Sequence, residues 1–521
     1  MLFLCIALVL AVFSSCSGTA SPGGSSSEDD AASSSSADNG VIEYAPLTLL
    51  YTPDQSLNPM ECTDRYNSIL NELMYESLFT LDENFSPVPV LAEDYTTEDG
   101  ITHQITIKSG VYFHNGTELT ANDAAYSISQ AMSSEKYSSR LGDIVSCEPT
   151  DAYTITIVLS KPNYMIYSLL DVPIIKNLSV EDEIPSGTGP YTYSGGTSPS
   201  MAAFAEYRDA DSLPADEIIL MAADSADIVS EFTSGRLSLI LSDPTGVGAL
   251  EVRVDHETRY YDTTVLHYIG FNVQSDNALL STEEFRRAVS YAVDRVQMAD
   301  DVFDGYAVAT PSGIHPSVSF YDSSADEGAV YSLQSLSSIL NSLGFEDSDG
   351  NTWLEYNSEE VSLRFIINSD NSWKVDAARS IVNTLRGVGV NITLSVLPWS
   401  EYLDALQTGD FDLYYAESQL TADFDMSEIL LSGGALNYGG IDDENYRELI
   451  DAYLAASTDE SRSDAFTTLA QYLQSDASII PLVFEKHSLI TQRGMISGLS
   501  PTQSNVLRGF IDSTINQTYG G

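Results

Sequence analysis

The side chains that could do chemistry are scattered through this sequence. It contains no GxSxG, HExxH, P-loop or GxGxxG motif, the patterns that place a nucleophile, a zinc ion or a phosphate. Ser133 and Lys136 form an isolated SxxK, which is too short to indicate catalysis. No two histidines stand at metal-ligand spacing among His103, His114, His256, His267, His315 and His487. We therefore predict no catalytic residue, no metal site and no cofactor, and a protein that is not an enzyme.

One acidic tract has the composition of a calcium-binding loop but not its spacing. Asp347, Asp349, Gly350 and Glu355 follow one another within nine residues. An EF-hand needs its glycine at the sixth position of the loop, whereas Gly350 stands at the fourth, and Glu355 comes too early. The tract predicts a hydrophilic turn.

The overall charge excludes some classes of partner. Among 521 residues, 76 are Asp or Glu and 22 are Lys or Arg, which gives a net charge of −54. Phosphate contacts need clustered cations, so nucleic-acid binding and a polybasic membrane patch are excluded. If a ligand cleft shares this negative field, cationic or zwitterionic ligands are favoured over polyanions.

The N-terminus indicates export. Residues 1–13 are an unbroken apolar run, which is too short to span a membrane and fits a secretory signal. Ser14, Ser15 and Cys16 follow and resemble the lipobox of bacterial lipoproteins. We predict a signal peptide over 1–15, lipidation of Cys16, and a flexible Ser/Gly-rich tether over 16–40. An ordinary cleaved signal is the alternative.

The remaining cysteines and the periodicity describe the exported part. Cys62 and Cys147 allow one disulfide or two free thiols. Apolar residues alternate with polar ones in 101–107, 153–159 and 392–396, which predicts strands. Helical stripes are present at 285–293, 378–385 and 449–454, and Thr120 with Asp123 predicts a capped helix start. Mixed α/β structure follows.

Several long blocks resemble one family. They are SLNPM (56–60), the stretch 71–128 with FHNGTELTANDAAYSI, GTGPY (187–191), YIGFNV (268–273), FRRAVSYAVDR (285–295), DGYAVATPSGIHP (304–316), 338–355 and 385–413. Together they are similar, in order and over nearly all of 45–490, to the bacterial extracellular solute-binding proteins, family 5, of peptide/nickel-type ABC importers. GTGPY also predicts a turn in which glycine supplies a positive φ.

The resemblance implies a fold and a function. The implied fold is a two-lobed α/β periplasmic-binding-protein-like fold (type II, cluster C) with an extra subdomain inserted in lobe I. Lobe I is expected to comprise 41–72, 184–274 and 485–521, the insert 73–183, and lobe II 275–484. The implied protein is a monomer that binds oligopeptides in a hinged cleft and delivers them to permease subunits. It would be held at the extracytoplasmic face of the cell membrane by its lipid alone.

The resemblance also nominates ligand-binding residues. Asp423 in LTADFD (420–425) stands where peptide-binding relatives pair an Asp with the ligand's ammonium group, and Leu420 replaces their Trp. A loop acid on the surface is the alternative reading of Asp423. The other expected cleft residues are Thr421, Thr63, Asp64, Arg65, Asn437, Tyr438, Asp243 and Thr245. Arg65 could hold a ligand carboxylate or pair with Asp64 or Glu61.

Other functions stay open at this stage. The same fold could bind an oligosaccharide, in which case aromatic rings should wall the cleft and Asp423 should be dispensable. A receptor for a metal chelate is less favoured because the histidines are scattered. An extracytoplasmic hydrolase or a signalling receptor is the remaining alternative.

Overall fold

Alternating apolar residues and helical stripes form the elements that the sequence predicts. The computed structural model describes residues 46–223 and 227–516. The predicted signal peptide (1–15), the lipidated Cys16 and the tether (16–40) lie outside the described residues. Within them, no helix is both long and apolar enough to cross a membrane.

The strands are short except for two. They are β1 (Thr48–Tyr51), β2 (Phe79–Leu81), β3 (Pro87–Pro89), β4 (Ala92–Thr97), β5 (Thr102–Ile107), β6 (Ile144–Pro149), β7 (Thr154–Leu159), β8 (Tyr191–Ser194), β9 (Ser200–Ala203), β10 (Glu217–Ala222), β11 (Leu239–Ser242), β12 (His256–Phe271), β13 (Ala307–Ala309), β14 (Glu355–Tyr356), β15 (Glu359–Glu360), β16 (Ser362–Asn368), β17 (Asn391–Leu397), β18 (Leu413–Gln419), β19 (Ile479–Gln492), β20 (Ile496–Ser497) and β21 (Thr514–Ile515).

Most of the helices follow β12 in the chain. They are α1 (Arg65–Met74), α2 (Ala121–Ala131), α3 (Ile228–Thr233), α4 (Glu283–Ser290), α5 (Arg295–Gln297), α6 (Leu333–Ser342), α7 (Ser372–Gly387), α8 (Trp399–Thr408), α9 (Ser427–Leu430), α10 (Glu444–Leu454) and α11 (Asp459–Asp476).

Three sheets organise the molecule. An outer sheet has the strand order β1-β10-β9-β8, and a second sheet has the order β4-β5-β7-β6 and packs on α2. We call residues 79–171, which contain β2–β7 and α2, the insert. A long sheet has the order β11-β19-β12-β18-β16-β17, with β13 also paired to β19.

The long strands β12 and β19 join two halves of the long sheet. β11 pairs with the C-terminal part of β19, whereas β18 pairs with residues 265–271 of β12. The β12–β19 register shifts between Asp262 and Leu266 and again between His267 and Tyr268. These irregularities lie where the sheet passes from one half to the other, which is the place for a hinge.

The half of the long sheet beyond β12 is covered on both faces. In β16, Phe365 packs in a cluster with α4, α6 and α7, while its neighbour Ile366 packs in a cluster with α8, α10 and α11. This alternation follows from the two-residue repeat of a strand. We call this half, with helices α4–α11, lobe II. The half with the outer sheet and α1 is lobe I.

Most local predictions are confirmed. β5, β7 and β17 coincide with the three predicted strand segments, and α7 and α10 carry their predicted stripes. The stripe predicted over 285–293 is confirmed only in part, because α4 ends at Ser290, before Ala292 and Val293. Asp123 accepts a hydrogen bond from the backbone N–H of Thr120 at 2.9 Å, as the capped start of α2 requires. Cys62 and Cys147 are both buried free thiols.

The sequence predicts that the glycines of GTGPY supply a positive φ, and this prediction is wrong. Neither Gly187 nor Gly189 has a positive φ. A Cβ on Gly187 would lie 2.1 Å from the carbonyl oxygen of Met74, and one on Gly189 would lie 2.4 Å from that of Leu73. Glycine is needed because this loop passes directly over the C-terminal end of α1.

Candidate functional site

A cavity of about 870 Å³ lies between lobe I, the insert and lobe II. Helix α1 forms one wall, and residues 136–140 and 171 of the insert form another. Residues 419–422, at the C-terminal end of β18, come from lobe II, and a C-terminal segment over 503–512 completes the lining. Side chains from all three parts therefore meet in one space, as a ligand site between hinged lobes requires.

The structure brings three of the predicted residues to this cavity. Arg65 begins α1 and lines the cavity, and Leu420 and Thr421 line it from lobe II. Arg65 lies within 4.0 Å of no carboxylate of the described residues, so it pairs with neither Asp64 nor Glu61. Its guanidinium lies 5.7 Å from the ring centroid of Tyr66.

Asp423 is buried directly behind the cavity wall. It is 2% exposed, and its carboxylate accepts hydrogen bonds from the Thr421 hydroxyl at 2.6 Å and from the Asn163 amide at 3.2 Å. Burial, followed by the charge of Asp425, raises the pKa of Asp423 to about 6. Through Thr421 the carboxylate is one side chain away from the cavity.

The other predicted residues lie outside the cavity lining. Asp64 caps α1 by accepting from the backbone N–H groups of Tyr66 and Asn67, and Thr63 beside it is exposed. Asp243 accepts from Thr245, and the Thr245 carbonyl accepts at 2.8 Å from the amide of Asn371, the N-cap residue of α7.

Asn437 and Tyr438 hold a loop of lobe II. The Asn437 amide group donates to the carbonyls of Leu431 and Ile441, and its oxygen accepts from the Ile441 backbone N–H. The ring of Tyr438 lies 6.1 Å from that of Tyr414.

The insert contacts lobe II through residues 161–164. The Asn163 amide donates to Asp423, the Tyr164 backbone N–H donates to the Leu454 carbonyl at 3.0 Å, and the Lys161 ammonium pairs with Asp451 at 3.0 Å. The described chain is thus in a conformation in which the insert and lobe II touch beside the cavity.

A buried polar network lies where the long sheet passes from lobe I to lobe II. The His267 imidazole bridges the Tyr415 hydroxyl at 2.7 Å and the Glu485 carboxylate at 2.6 Å. Burial alone would raise the pKa of Glu485, but the hydrogen bonds from His267 and His487, together with the charges of His267 and Lys374, lower it. Glu485, His487 and Asp243 also bring ligand atoms within 4.8 Å of one another, although they are far apart in sequence.

The cavity does not share the acidic excess of the chain. Five cationic side chains line it against four acidic ones: Arg65, Lys136, Arg140, Arg208 and Arg508, with Glu72, Glu76, Asp171 and Asp512. The whole chain has more than three acids for every base. The net negative charge of the chain therefore gives no reason to expect a cationic ligand in this cavity.

Three of these cations are already paired. Arg208 makes two hydrogen bonds to Glu76, at 2.9 and 2.5 Å. Arg140 pairs with Asp171 at 2.8 Å, and Arg508 pairs with Glu83 at 2.5 Å. Lys136, like Arg65, has no carboxylate of the described residues within 4.0 Å.

Glu72 and Asn71 are cavity residues that the sequence did not indicate. Glu72 accepts from the Leu507 backbone N–H at 3.0 Å. Burial of the carboxyl group raises the pKa of Glu72 to about 8, although the residue as a whole is half-buried and lines the cavity. Asn71 is 6% exposed, and neither its amide nitrogen nor its amide oxygen has a partner in the described protein. In the sequence, Asn71 and Glu72 are marked only by their position in the helix that precedes YESL (75–78).

Comparisons with known proteins give this geometry a context. The family model described as "Bacterial extracellular solute-binding proteins, family 5 Middle" matches residues 86–433. The oligopeptide-binding protein AppA of Bacillus subtilis (strain 168) is 22% identical over 438 residues, which are 79% of each chain.

Solved structures agree on the fold. The structure of AppA from Bacillus subtilis in complex with a nonapeptide matches with a TM-score of 0.64 at 20% identity, covering 91% of this chain and 99% of that one. NikZ from Campylobacter jejuni in complex with Ni(L-His) matches with a TM-score of 0.65 at 19% identity, covering 90% and 99%. The two-lobed binding-protein fold is common to proteins with different ligands.

Proposed function

The chain belongs to family 5 of the bacterial extracellular solute-binding proteins, the extracytoplasmic receptors of ABC importers rather than enzymes, and on that premise we propose that it binds oligopeptides. The observation that carries the proposal is the cavity of about 870 Å³, whose walls come from both lobes and the insert. Its size lies in the upper part of the range of roughly 300–1,000 Å³ that is usual for ligand pockets. A ligand that touches all of these walls favours the closed arrangement.

A strand edge at the cavity supports a peptide ligand. The Leu420 backbone N–H donates to the Thr264 carbonyl at 2.9 Å, so Leu420 directs its backbone towards β12. Because backbone groups alternate along an antiparallel strand, Gln419 and Thr421 direct theirs away from β12, and both residues line the cavity. The Thr421 carbonyl accepts from the Phe424 backbone N–H at 2.9 Å, so the groups of this edge that would meet a ligand are those of Gln419 and the Thr421 N–H. An extended peptide would add there as a further strand.

Asp423 would receive the ammonium terminus of the peptide. Its burial and raised pKa describe a carboxylate that gains from a cationic partner. In the proposed complex, the Thr421 hydroxyl turns away from the carboxylate, and the ammonium group passes beside Thr421 to reach Asp423.

An oligosaccharide is the second candidate, because four aromatic side chains line the cavity: Tyr75, Tyr137, Tyr261 and Phe510. Tyr75, Tyr137 and Phe510 are only 4%, 7% and 3% exposed, respectively. The hydroxyls of Tyr75 and Tyr137 donate to the carbonyls of Pro185 and Pro59. Little ring face is left for sugar stacking, which favours the peptide.

Delivery and anchoring complete the proposal. We keep the lobe and insert boundaries that the sequence analysis expects. Lipidation of Cys16 and the tether over 16–40 would hold this monomeric receptor beside its permease subunits. The tether would reach roughly 25–30 Å root-mean-square from the membrane. Treatment of whole cells with a lipoprotein-specific signal peptidase inhibitor should cause an unprocessed precursor to accumulate.

Isothermal titration tests the ligand class. The purified protein is titrated separately with pools of di- to octapeptides, with a Ni²⁺–histidine complex and with oligosaccharides. The proposal predicts saturable binding of peptides with one site per chain. Heat from the oligosaccharides or from Ni²⁺–histidine, together with silence across all peptide pools, would contradict it.

A further inference from the structure

A second cavity, of about 430 Å³, has its own charged groups on the other face of β12. Tyr261 faces the main cavity, because its ring lies 6.0 Å from that of His487, which also lines the main cavity. Its neighbours Tyr260 and Asp262 line the second cavity only, and they point to the opposite face because side chains alternate along a strand. The second cavity is therefore distinct from the peptide site proposed above.

Three parts of the molecule enclose the second cavity. Its walls are residues 81–85 of the insert, residues 259–262 and 486 of the long strands, and the C-terminal segment over 499–503. The Phe85 ring packs 5.2 Å from that of His315 and 5.3 Å from that of Phe424, so the insert wall is fixed on lobe II. A volume of 430 Å³ is in the lower part of the range of roughly 300–1,000 Å³ that is usual for ligand pockets, which suits a molecule smaller than an oligopeptide.

Two opposite charges face this cavity without neutralising each other. Asp262 and Lys486 are paired in the β12–β19 register, and both are partly exposed. Their charged atoms do not lie within 4.0 Å of each other, and the Lys486 ammonium has no carboxylate that near among residues 46–223 and 227–516. Asp262 has the His315 imidazole at 3.7 Å, but burial lowers the pKa of His315 to about 4, so this ring is neutral at pH 7.

The other charged side chains in the lining have partners of their own. The Asp82 carboxylate accepts from two backbone N–H groups of its own turn. Glu83 pairs with Arg508 at 2.5 Å, and Arg259 pairs with Glu257 at 2.8 Å. One carboxylate and one ammonium group, those of the strand pair, are therefore left for a ligand.

We propose that the second cavity binds a free amino acid with an apolar side chain. Its ammonium group would meet the Asp262 carboxylate, and its carboxylate would meet the Lys486 ammonium. A zwitterion pairs with both charges at once, whereas a simple anion or cation leaves one of them unpaired. The side chain would lie against Leu81, Phe85 and Leu499, which are almost fully buried and form the apolar part of the lining. This site does not depend on the proposed peptide function.

Titration calorimetry with L-phenylalanine and L-leucine tests the ligand class on the unaltered protein. N-acetyl-L-phenylalanine lacks the ammonium group, and L-phenylalaninamide lacks the carboxylate. Each should bind on the order of tenfold to hundredfold more weakly than L-phenylalanine, which is the value of a charged hydrogen bond. Absence of saturable binding of both amino acids, or equal affinity for L-phenylalanine and its two derivatives, would overturn the proposal.

Two variants test the location. Lys486→Gln should weaken L-phenylalanine at least tenfold and spare its amide, and Asp262→Asn should weaken L-phenylalanine and spare the N-acetyl derivative. Arg253→Gln is the control, because Arg253 is an exposed cation that pairs with Glu251 and lines neither cavity. Loss of L-phenylalanine binding in Lys136→Gln, with full binding in Lys486→Gln, would place the amino acid in the main cavity and overturn the proposal. Silence of every peptide pool would leave this site standing.

Discussion

The buried carboxylate of Asp423 should make the empty receptor less stable than it could be. Replacement by Asn keeps the size and removes the charge. A rise in pKa from 3.8 to about 6 corresponds to about 3 kcal/mol of destabilisation once the group is ionised. Because the pKa is higher in the folded state, this stability is present below about pH 4 and is lost as the pH rises towards 6.

One hydrogen bond reduces the expected gain. The Asn163 amide donates to Asp423, and the Asn163 oxygen is held by the Met165 backbone N–H at 2.7 Å, so Asn163 cannot turn over. An amide nitrogen at position 423 would then face another donor or leave one unpaired, at a cost of about 1 kcal/mol. Asp423→Asn should therefore stabilise the empty protein by about 2 kcal/mol at pH 7.5, where the charge is removed, and destabilise it by about 1 kcal/mol at pH 4, where only the hydrogen bond is lost.

Urea unfolding at both pH values measures the effect. Asp404→Asn is the control, because Asp404 is exposed on α8 and does not line the cavity. The same Asp423→Asn variant should weaken binding of peptides with a free ammonium terminus and spare N-acetylated ones. A loss of stability of the same size at pH 7.5 and pH 4 would refute the reasoning, since it would make Asp423 a satisfied structural acceptor.

Three further predictions follow from the cavity and its supports. Asn71→Leu should stabilise the empty protein by about 1–3 kcal/mol in urea, because it removes two unpaired groups; a loss of stability would contradict this. Affinity for a free-acid peptide, measured by titration calorimetry, should fall as the pH rises through about 8 and the Glu72 carboxyl ionises. The charged and titratable groups in this part of the cavity are Lys136, Arg65, Arg140, Asp171 and Tyr261. Glu72→Gln should remove the pH dependence of the affinity, and an unchanged dependence in this variant would exclude Glu72 as its source. Gly187→Ala should lower the unfolding midpoint by several degrees, because its Cβ would meet the Met74 carbonyl, whereas Gly196→Ala, with open space around it, tests the positive φ alone; equal effects would contradict the close-approach reasoning.

The sequence predicts the fold further than it predicts the site. Alternation at 153–159 and the stripe in α7 are local patterns, so their elements could be read directly. The family resemblance supplied the long-range arrangement, which no local pattern contains. The reason for Gly187 was misread because its constraint comes from the end of α1, more than a hundred residues away.

The site depends on contacts between distant segments. Thr421 and Arg65 were found because they stand in or beside matched blocks, whereas Lys136 stood out only as part of an SxxK. Asn71 has no motif, and its unpaired amide is visible only once its neighbours are in place. The 503–512 segment lies beyond the stretch in which the resemblance was recognised, so its part in the cavity lining was not foreseen.

A crystal structure of the protein with a bound pentapeptide tests the central claim most directly. We expect an extended peptide in the cavity beside Gln419 and Thr421, with its ammonium end near Asp423. A cavity that stays empty under saturating peptide, or that retains a co-purified sugar or metal chelate, would contradict the claim that this receptor carries peptides.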